Sequence, residues 1–304
     1  MARIVSLLPS TTETAVALGL EGDLVGRSHE CDIPASVRAL PAVTAPKLNI
    51  EARSAEIDSQ VKQLVREGLS VYRVDAELLR ELKPDVILTQ TQCEVCAATP
   101  EDLDDALRDW IGNRPRVVAV EPNTLDDVLD DIERIGAGCG VPERGHELRT
   151  QVRVAIYQIS HAAGLSGAAP RVACLEWLDP AMGCGNWIPE LIERAGGRSV
   201  AGQTGQHAEW TSVAALAELD PDIVSLSPCG FDLARTRAEL PALQAQPGWS
   251  ELGAVQNGRV FLLDGFAHMT RPGPRIAESL ELLAEILHPG QFEYGRRGGG
   301  WEPL

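Results

Sequence analysis

The segment ELKPDVILTQTQC at residues 81–93 returns as ELDPDIVSLSPC at residues 218–229. RVVAVEP at 116–122 is likewise echoed by RVFLLDG at 259–265. In the first pair a helix end meets a proline breaker and then an apolar run of strand length. Strands that are apolar without alternation belong in a parallel sheet covered by helices on both faces. A motif of this kind written twice points to two similar α/β lobes, and 304 residues is about twice the usual length of one domain.

The rest of the pattern keeps the same order. Ile4 to Leu8 reads as a strand, followed by a helix from Thr11 to Leu18 in which Ser10 and Glu13 have capping-box spacing. Leu78 to Leu82 reads as helix, Val86 to Leu88 as strand, 101–110 as helix and Val117 to Val120 as strand. The second half offers strands at 172–175, 223–226 and 260–263 and helices at 187–195 and 213–219. Between the halves Leu148, Val152, Ile156, Ile159 and Ala163 fall at helical spacing, which predicts one connecting helix over 143–163. An ordinary surface helix of one domain is the plainer alternative. The expected division is an N-terminal lobe over 1–125, a helical connector over 126–168, a C-terminal lobe over 169–290 and a flexible, glycine-rich tail over 291–304.

In open parallel sheets ligands gather beyond the C-terminal ends of the strands, where helix N-termini offer free donors. That rule selects Pro9, Ser10 and Thr11, then His29 and Glu30, Gln90 and Gln92, Trp177 and Trp187, and finally Phe231, Phe266 and Arg271. His29 offers an imidazole nitrogen to a metal, the aromatic rings offer flat apolar walls, and Arg271 offers a guanidinium to a carboxylate or amide. Each has a plainer role open to it: capping a loop, packing a core or pinning a turn. Cys31, Cys93, Cys96 and Cys229 also follow strands, with Cys184 in a glycine-rich loop. Converging thiolates bind zinc or an iron–sulfur cluster, whereas packed free thiols and a Cys93/Cys96 dithiol are the alternatives. Cys139 and Cys174 read as ordinary core cysteines.

A formal charge of −17 repels phosphate backbones and argues against nucleic acid as a partner. No stretch approaches the roughly 20 apolar residues of a membrane helix, so membrane insertion is not expected. There is no GxxxxGK[ST] loop, HExxH, GxSxG elbow or GxGxxG after the first strand, which favours binding over catalysis. A strand beginning by Arg3 leaves no room for a secretory signal, and seven irregularly spaced cysteines suit a reducing compartment, so a cytoplasmic location is expected.

Seven further segments carry a family resemblance: RIVSLLPSTTETAVALGL, LVGRSHECDIP, LKPDVILTQ, NWIPELIERAGG, LAELDPDIV, PGWSELGAVQNGRVFLLDG and RPGPRIAESLELLAEILHP. Over residues 3–288 the chain resembles the cobalamin-type periplasmic binding proteins, the substrate-binding components of vitamin B12, haem and siderophore importers. The resemblance implies two Rossmann-like lobes joined by one long helix, the class III substrate-binding-protein fold, with a small molecule held between the lobes. Within that family the cysteine-rich loops resemble a cytoplasmic-looking branch described as cobalamin-binding. The leading expectation is therefore a non-enzymatic carrier or scavenger of cobalamin, for which docking on a transporter is doubtful. The alternatives are a metal or iron–sulfur protein using Cys31, Cys93, Cys96 and Cys229, and a haem or siderophore binder.

Overall fold

The computed structural model describes residues 2–67, 70–91, 103, 106, 107, 110, 114–167 and 169–304. The chain forms two compact units, one of Met1–Ala52, Glu56–Pro122 and Asp126–Gln151, the other of Arg53–Ala55, Asn123–Leu125 and Val152–Leu304.

The first unit is built on strands β1 (Ile4–Ser6) and β2 (Leu24–Arg27), a ribbon of β3 (Thr44–Pro46) with β4 (Tyr72–Val74), and strands β5 (Val86–Gln90) and β6 (Arg116–Val120). Its main sheet runs β2-β1-β5-β6 with every pair parallel. Helices α1 (Pro9–Ala17), α2 (Ser54–Arg66), α3 (Ala76–Leu82) and α4 (Leu125–Gly138) accompany it. Side chains alternate along each strand, so Ile4, Val86 and Leu88 pack with Ala15 of α1, its C-terminal cap residue Leu18 and Ile135 of α4. Val5 and Ile87 face the opposite way, onto Leu79 of α3 with Leu103 and Leu107.

Helix α5 (Pro142–Gly164) is 23 residues long, about 35 Å at 1.5 Å per residue, and its chain passes from the first unit into the second. The face read from helical spacing is the buried one: Val152, Ile156, Ile159 and Ala163 are all sealed. Where α4 and α5 meet, a Cβ on Gly136 would lie 2.8 Å from the Gly145 Cα, so this contact requires glycine. Residues 126–151 pack with the first unit and do not form a separate connector.

The second unit holds β7 (Arg171–Leu175), a small ribbon of β8 (Trp177–Leu178) with β9 (Ala181–Met182), α6 (Ile188–Arg194), β10 (Arg198–Ser199), α7 (Val213–Leu219), β11 (Ile223–Leu226), α8 (Leu233–Gln244), β12 (Val260–Leu263), α9 (Ile276–Leu287) and β13 (Trp301–Pro303). Its sheet runs β10-β7-β11-β12-β13, parallel except for the last pair. Ala173, Leu175, Val224, Leu226 and Leu262 share a core with Leu216 of α7 and Leu243 of α8.

The repeated motif folds twice in the same way. α3 and α7 both end in a left-handed residue, Lys83 at φ 44° and Asp220 at φ 42°, and proline follows at once. Asp85 then accepts the Arg3 backbone N–H at 2.8 Å, as Asp222 accepts that of Arg171 at 2.7 Å. The two arginines reach back to the carbonyls that end the helices: Arg3 Nε donates to Leu82 O at 2.8 Å and Arg171 Nε to Asp220 O at 3.2 Å. Sequence identity across the repeat thus marks one strand-entry device used in each unit.

Two expectations differ, and a third lies mostly outside the described residues. The first helix starts at Pro9, whose ring suits the first helical position, so Leu8 is the cap residue, without a side-chain cap, and Ser10 lies inside the helix. The tail is anchored: β13 pairs with β12, Trp301 Nε1 donates to Glu285 at 2.6 Å, and Arg296 binds Glu281 and Glu278. The helix read at 101–110 falls mostly outside the described residues. Among the described residues no helix is long and apolar enough to cross a membrane.

Candidate functional site

Because its strands are parallel, the first sheet puts all four C-terminal ends on one edge, and the selected loops follow there. Pro9 and Ser10 open α1 directly after β1, and the Ser10 hydroxyl is buried without a hydrogen-bond partner among the described residues. A hydroxyl network lies beneath. Thr11 Oγ1 and Ser6 Oγ are 2.7 Å apart, and Thr12 Oγ1 lies 2.7 Å from Ser6 Oγ and 3.0 Å from Cys31 Sγ. Gln90 ends β5 as a buried side chain.

His29 follows β2. Thr44 Oγ1 donates to Ser28 Oγ at 3.1 Å and lies 2.8 Å from His29 Nδ1, an arrangement that fits the tautomer with its proton on Nδ1. That leaves the lone pair on Nε2. Burial, reinforced by the Arg27 guanidinium, holds His29 down at about 4, so the ring is neutral near pH 7. Its side chain keeps 19% of its surface open, with Glu30 Oε1 3.9 Å from Nε2. A neutral, half-buried imidazole with an open nitrogen has the form of a metal ligand.

Cys31 does not suit the thiolate role expected of it. It is 1% exposed, and burial pushes its thiol up to about 11, so it stays protonated within the Thr12 and Ser6 network. Gln92, Cys93 and Cys96 lie outside the described residues. Among the described residues no group of three His, Cys, Asp or Glu side chains is placed to hold a metal ion.

In the second unit the edge beyond β7, β11 and β12 gathers aromatic rings. Trp177 and Phe231 have centroids 5.2 Å apart at 54°, and the Arg235 guanidinium sits 4.0 Å over the Phe231 ring. The Arg271 guanidinium lies 4.4 Å over Phe266. Phe231 O accepts the backbone N–H groups of Gly265 and Phe266, so the two loops move as one piece. Trp187 is buried, and its Nε1 donates to Met269 O at 3.1 Å; it braces the 265–269 turn and offers no free wall. Cys229 is exposed, and its N–H donates to Glu176 O at 3.0 Å.

Of two further groups here, the sequence reading missed Glu176 and placed Cys184 only as a cysteine of a glycine-rich loop. Glu176 ends the β7 run, half-buried, with Oε1 accepting the Gly185 N–H at 2.9 Å; burial pushes its carboxyl up to about 7 despite that donor. Cys184 hydrogen-bonds with Cys174, which together with burial holds its thiol well above the ordinary range. The one available signal was a glutamate directly after the apolar run Val172 to Leu175. Beside them Gly183, Cys184, Gly202, Gln206, His207 and Trp210 line a pocket of about 350 Å³.

The sequence profile described as periplasmic binding protein matches residues 4–266. The uncharacterized ABC transporter substrate-binding lipoprotein YvrC of Bacillus subtilis is 24% identical over 300 residues, covering 96% of this chain and 81% of that protein. Among solved structures, the periplasmic haem-binding protein RhuT from Roseiflexus sp. RS-1 superimposes with a TM-score of 0.72 at 22% identity, over 95% of this chain and 99% of that one. The periplasmic vitamin B12 binding protein BtuF of Vibrio cholerae gives 0.66 at 22% identity, over 94% and 96%. A periplasmic haem-binding protein from Pseudomonas aeruginosa gives 0.70 at 24%, over 95% and 93%. These likenesses show the class III substrate-binding fold.

Proposed function

We propose that this chain, which belongs to the periplasmic binding protein family, carries a corrinoid such as cobalamin as its cargo. His29 carries the proposal: a neutral imidazole with its lone pair on Nε2 is the group that binds a cobalt or iron centre axially. Within the second unit, the Trp177–Phe231 pair and Phe266 form apolar surface of a kind that suits a flat macrocycle. Fold relatives named for vitamin B12 and for haem support a tetrapyrrole-like cargo in general.

Docking on a membrane transporter, doubtful from sequence, gains support from the Bacillus relative named as a transporter's substrate-binding lipoprotein. We place the chain in the cytoplasm, where the free thiols of Cys31, Cys139, Cys174, Cys184 and Cys229 stay reduced, and so on the inner side of such a transporter. Cell fractionation tests the placement, and recovery from the periplasm or the outer membrane surface would reverse it.

The cargo is tested by anaerobic titration with hydroxocobalamin, followed in the corrin absorption bands. Saturable shifts that are lost in His29→Ala support axial ligation. A dissociation constant weaker than about 1 mM, or roughly 4 kcal/mol of binding, removes corrinoid as a specific cargo.

A further inference from the structure

A carboxyl drawn away from water, with one hydrogen bond and no cation among the described residues, is costly to keep, and such groups are found where they meet a ligand. Glu176 is in that position. It sits where β7 ends and the aromatic edge begins, next to Trp177, and its own carbonyl holds the loop of Cys229. Its Oε1 is fixed by the Gly185 N–H at 2.9 Å. Gly185 is itself wedged in place, since a Cβ there would lie 2.4 Å from Ala208 N and 2.5 Å from Gln206 O. The carboxyl is therefore positioned by a closely packed stretch of backbone. Among the described residues the influences recorded on it are burial and the Gly185 N–H, and the titratable neighbour that feels its charge is Cys184, a protonated thiol.

We propose that Glu176 selects the cargo by its hydrogen-bond donors, accepting a peripheral amide of a corrin ring and opposing the peripheral carboxylates of a haem. The inference rests on the cargo class proposed above and adds the group that discriminates within it. An ionised acceptor without a cation repels a carboxylate and binds an amide N–H by a charge-assisted bond. The aromatic rings alone cannot make that distinction, because both macrocycles present the same flat apolar face, and the Arg235 and Arg271 guanidiniums beside them lie over the Phe231 and Phe266 rings.

The test is calorimetric titration at pH 8 with two probes, cyanocobalamin and a corrin whose peripheral amides have been hydrolysed to carboxylates. The wild-type protein is expected to favour the amide form by at least about tenfold, and Glu176→Gln to reduce that ratio by about tenfold, the difference between a charged and a neutral acceptor. An unchanged ratio in Glu176→Gln overturns the role of Glu176 while leaving the corrinoid function standing. A wild-type protein without preference, or preferring the carboxylate form, overturns it as well, and this arm decides should the variant not fold. Binding of neither probe by the wild type overturns the proposed function and this inference together.

Discussion

At the residue scale, the two perturbed groups at the strand edges act on stability in opposite directions. The Glu176 carboxyl is raised from its ordinary value of 4.5 to about 7, so the folded state holds the proton more tightly than the unfolded one. The stability this contributes is complete below about 4.5 and is lost as pH rises through 7. Glu176→Gln should therefore melt close to wild type near pH 4 and higher than wild type at pH 8, by about 2 °C or more, since 1 kcal/mol moves Tm by roughly 2–4 °C in domains of this size. Scanning calorimetry at the two pH values checks this, and an equal offset at both would refute an ionisation cost. His29 behaves inversely: lowered from 6.5 to about 4, it drains stability as pH falls through that window. Neither shift is readable from the chain, because its largest cause in both groups is burial, which appears only on folding. What was readable is position: His29 and Trp177 follow apolar strand runs, and loops there reach the ligand edge.

Among elements, the 183–186 loop and the 201–211 loop form an irregular ladder. Gly183 N donates to Glu209 O at 2.9 Å, Cys184 N to Ala201 O at 2.9 Å and Asn186 N to Gln206 O at 2.7 Å. Gly185→Ala pushes a methyl into backbone on the facing loop, and the expected loss is about 1–3 kcal/mol, as for overpacking. Gly299→Ala meets nothing within 4 Å and should change stability by less than about 0.5 kcal/mol. Urea unfolding of the two variants compares them; equal midpoints would show that the loops part easily. The sequence flags Gly183 and Gly185 only as a glycine-rich loop, since the clash partner lies on a segment more than fifteen residues away. Glycine content likewise misled at the tail. Four glycines in its last ten residues look like disorder, yet Trp301 and Arg296 find Glu285 and Glu281 on α9, and those pairings exist only once the helix is in place.

For the molecule as a whole, two compact units, each with its own sheet and packing, make a specific demand on exchange behaviour. Leu88 is sealed in the first unit, and Leu88→Ala should cost about 2–5 kcal/mol there. Native-state hydrogen exchange of that variant should lose protection at Val5 and Ile87 while the amides of Val224 and Leu175, in the other unit, keep theirs. Uniform loss across both sheets would mean that the chain unfolds as one cooperative body. The doubled architecture was legible in the sequence because it depends on local patterns: an apolar run is a buried strand wherever it lies, and Pro84 and Pro221 stop their helices without outside help. The buried face of α5 was legible for the same reason, five residues at helical spacing. Only the tertiary structure decided what the site groups are chemically. Cys31 is a protonated core thiol because burial raises it, Trp187 is a brace because Met269 takes its N–H, and Glu176 is a half-ionised acceptor because folding removes water from it while supplying one donor. Residue type sets what a side chain is able to do; desolvation and long-range partners, which appear only on folding, set what it does.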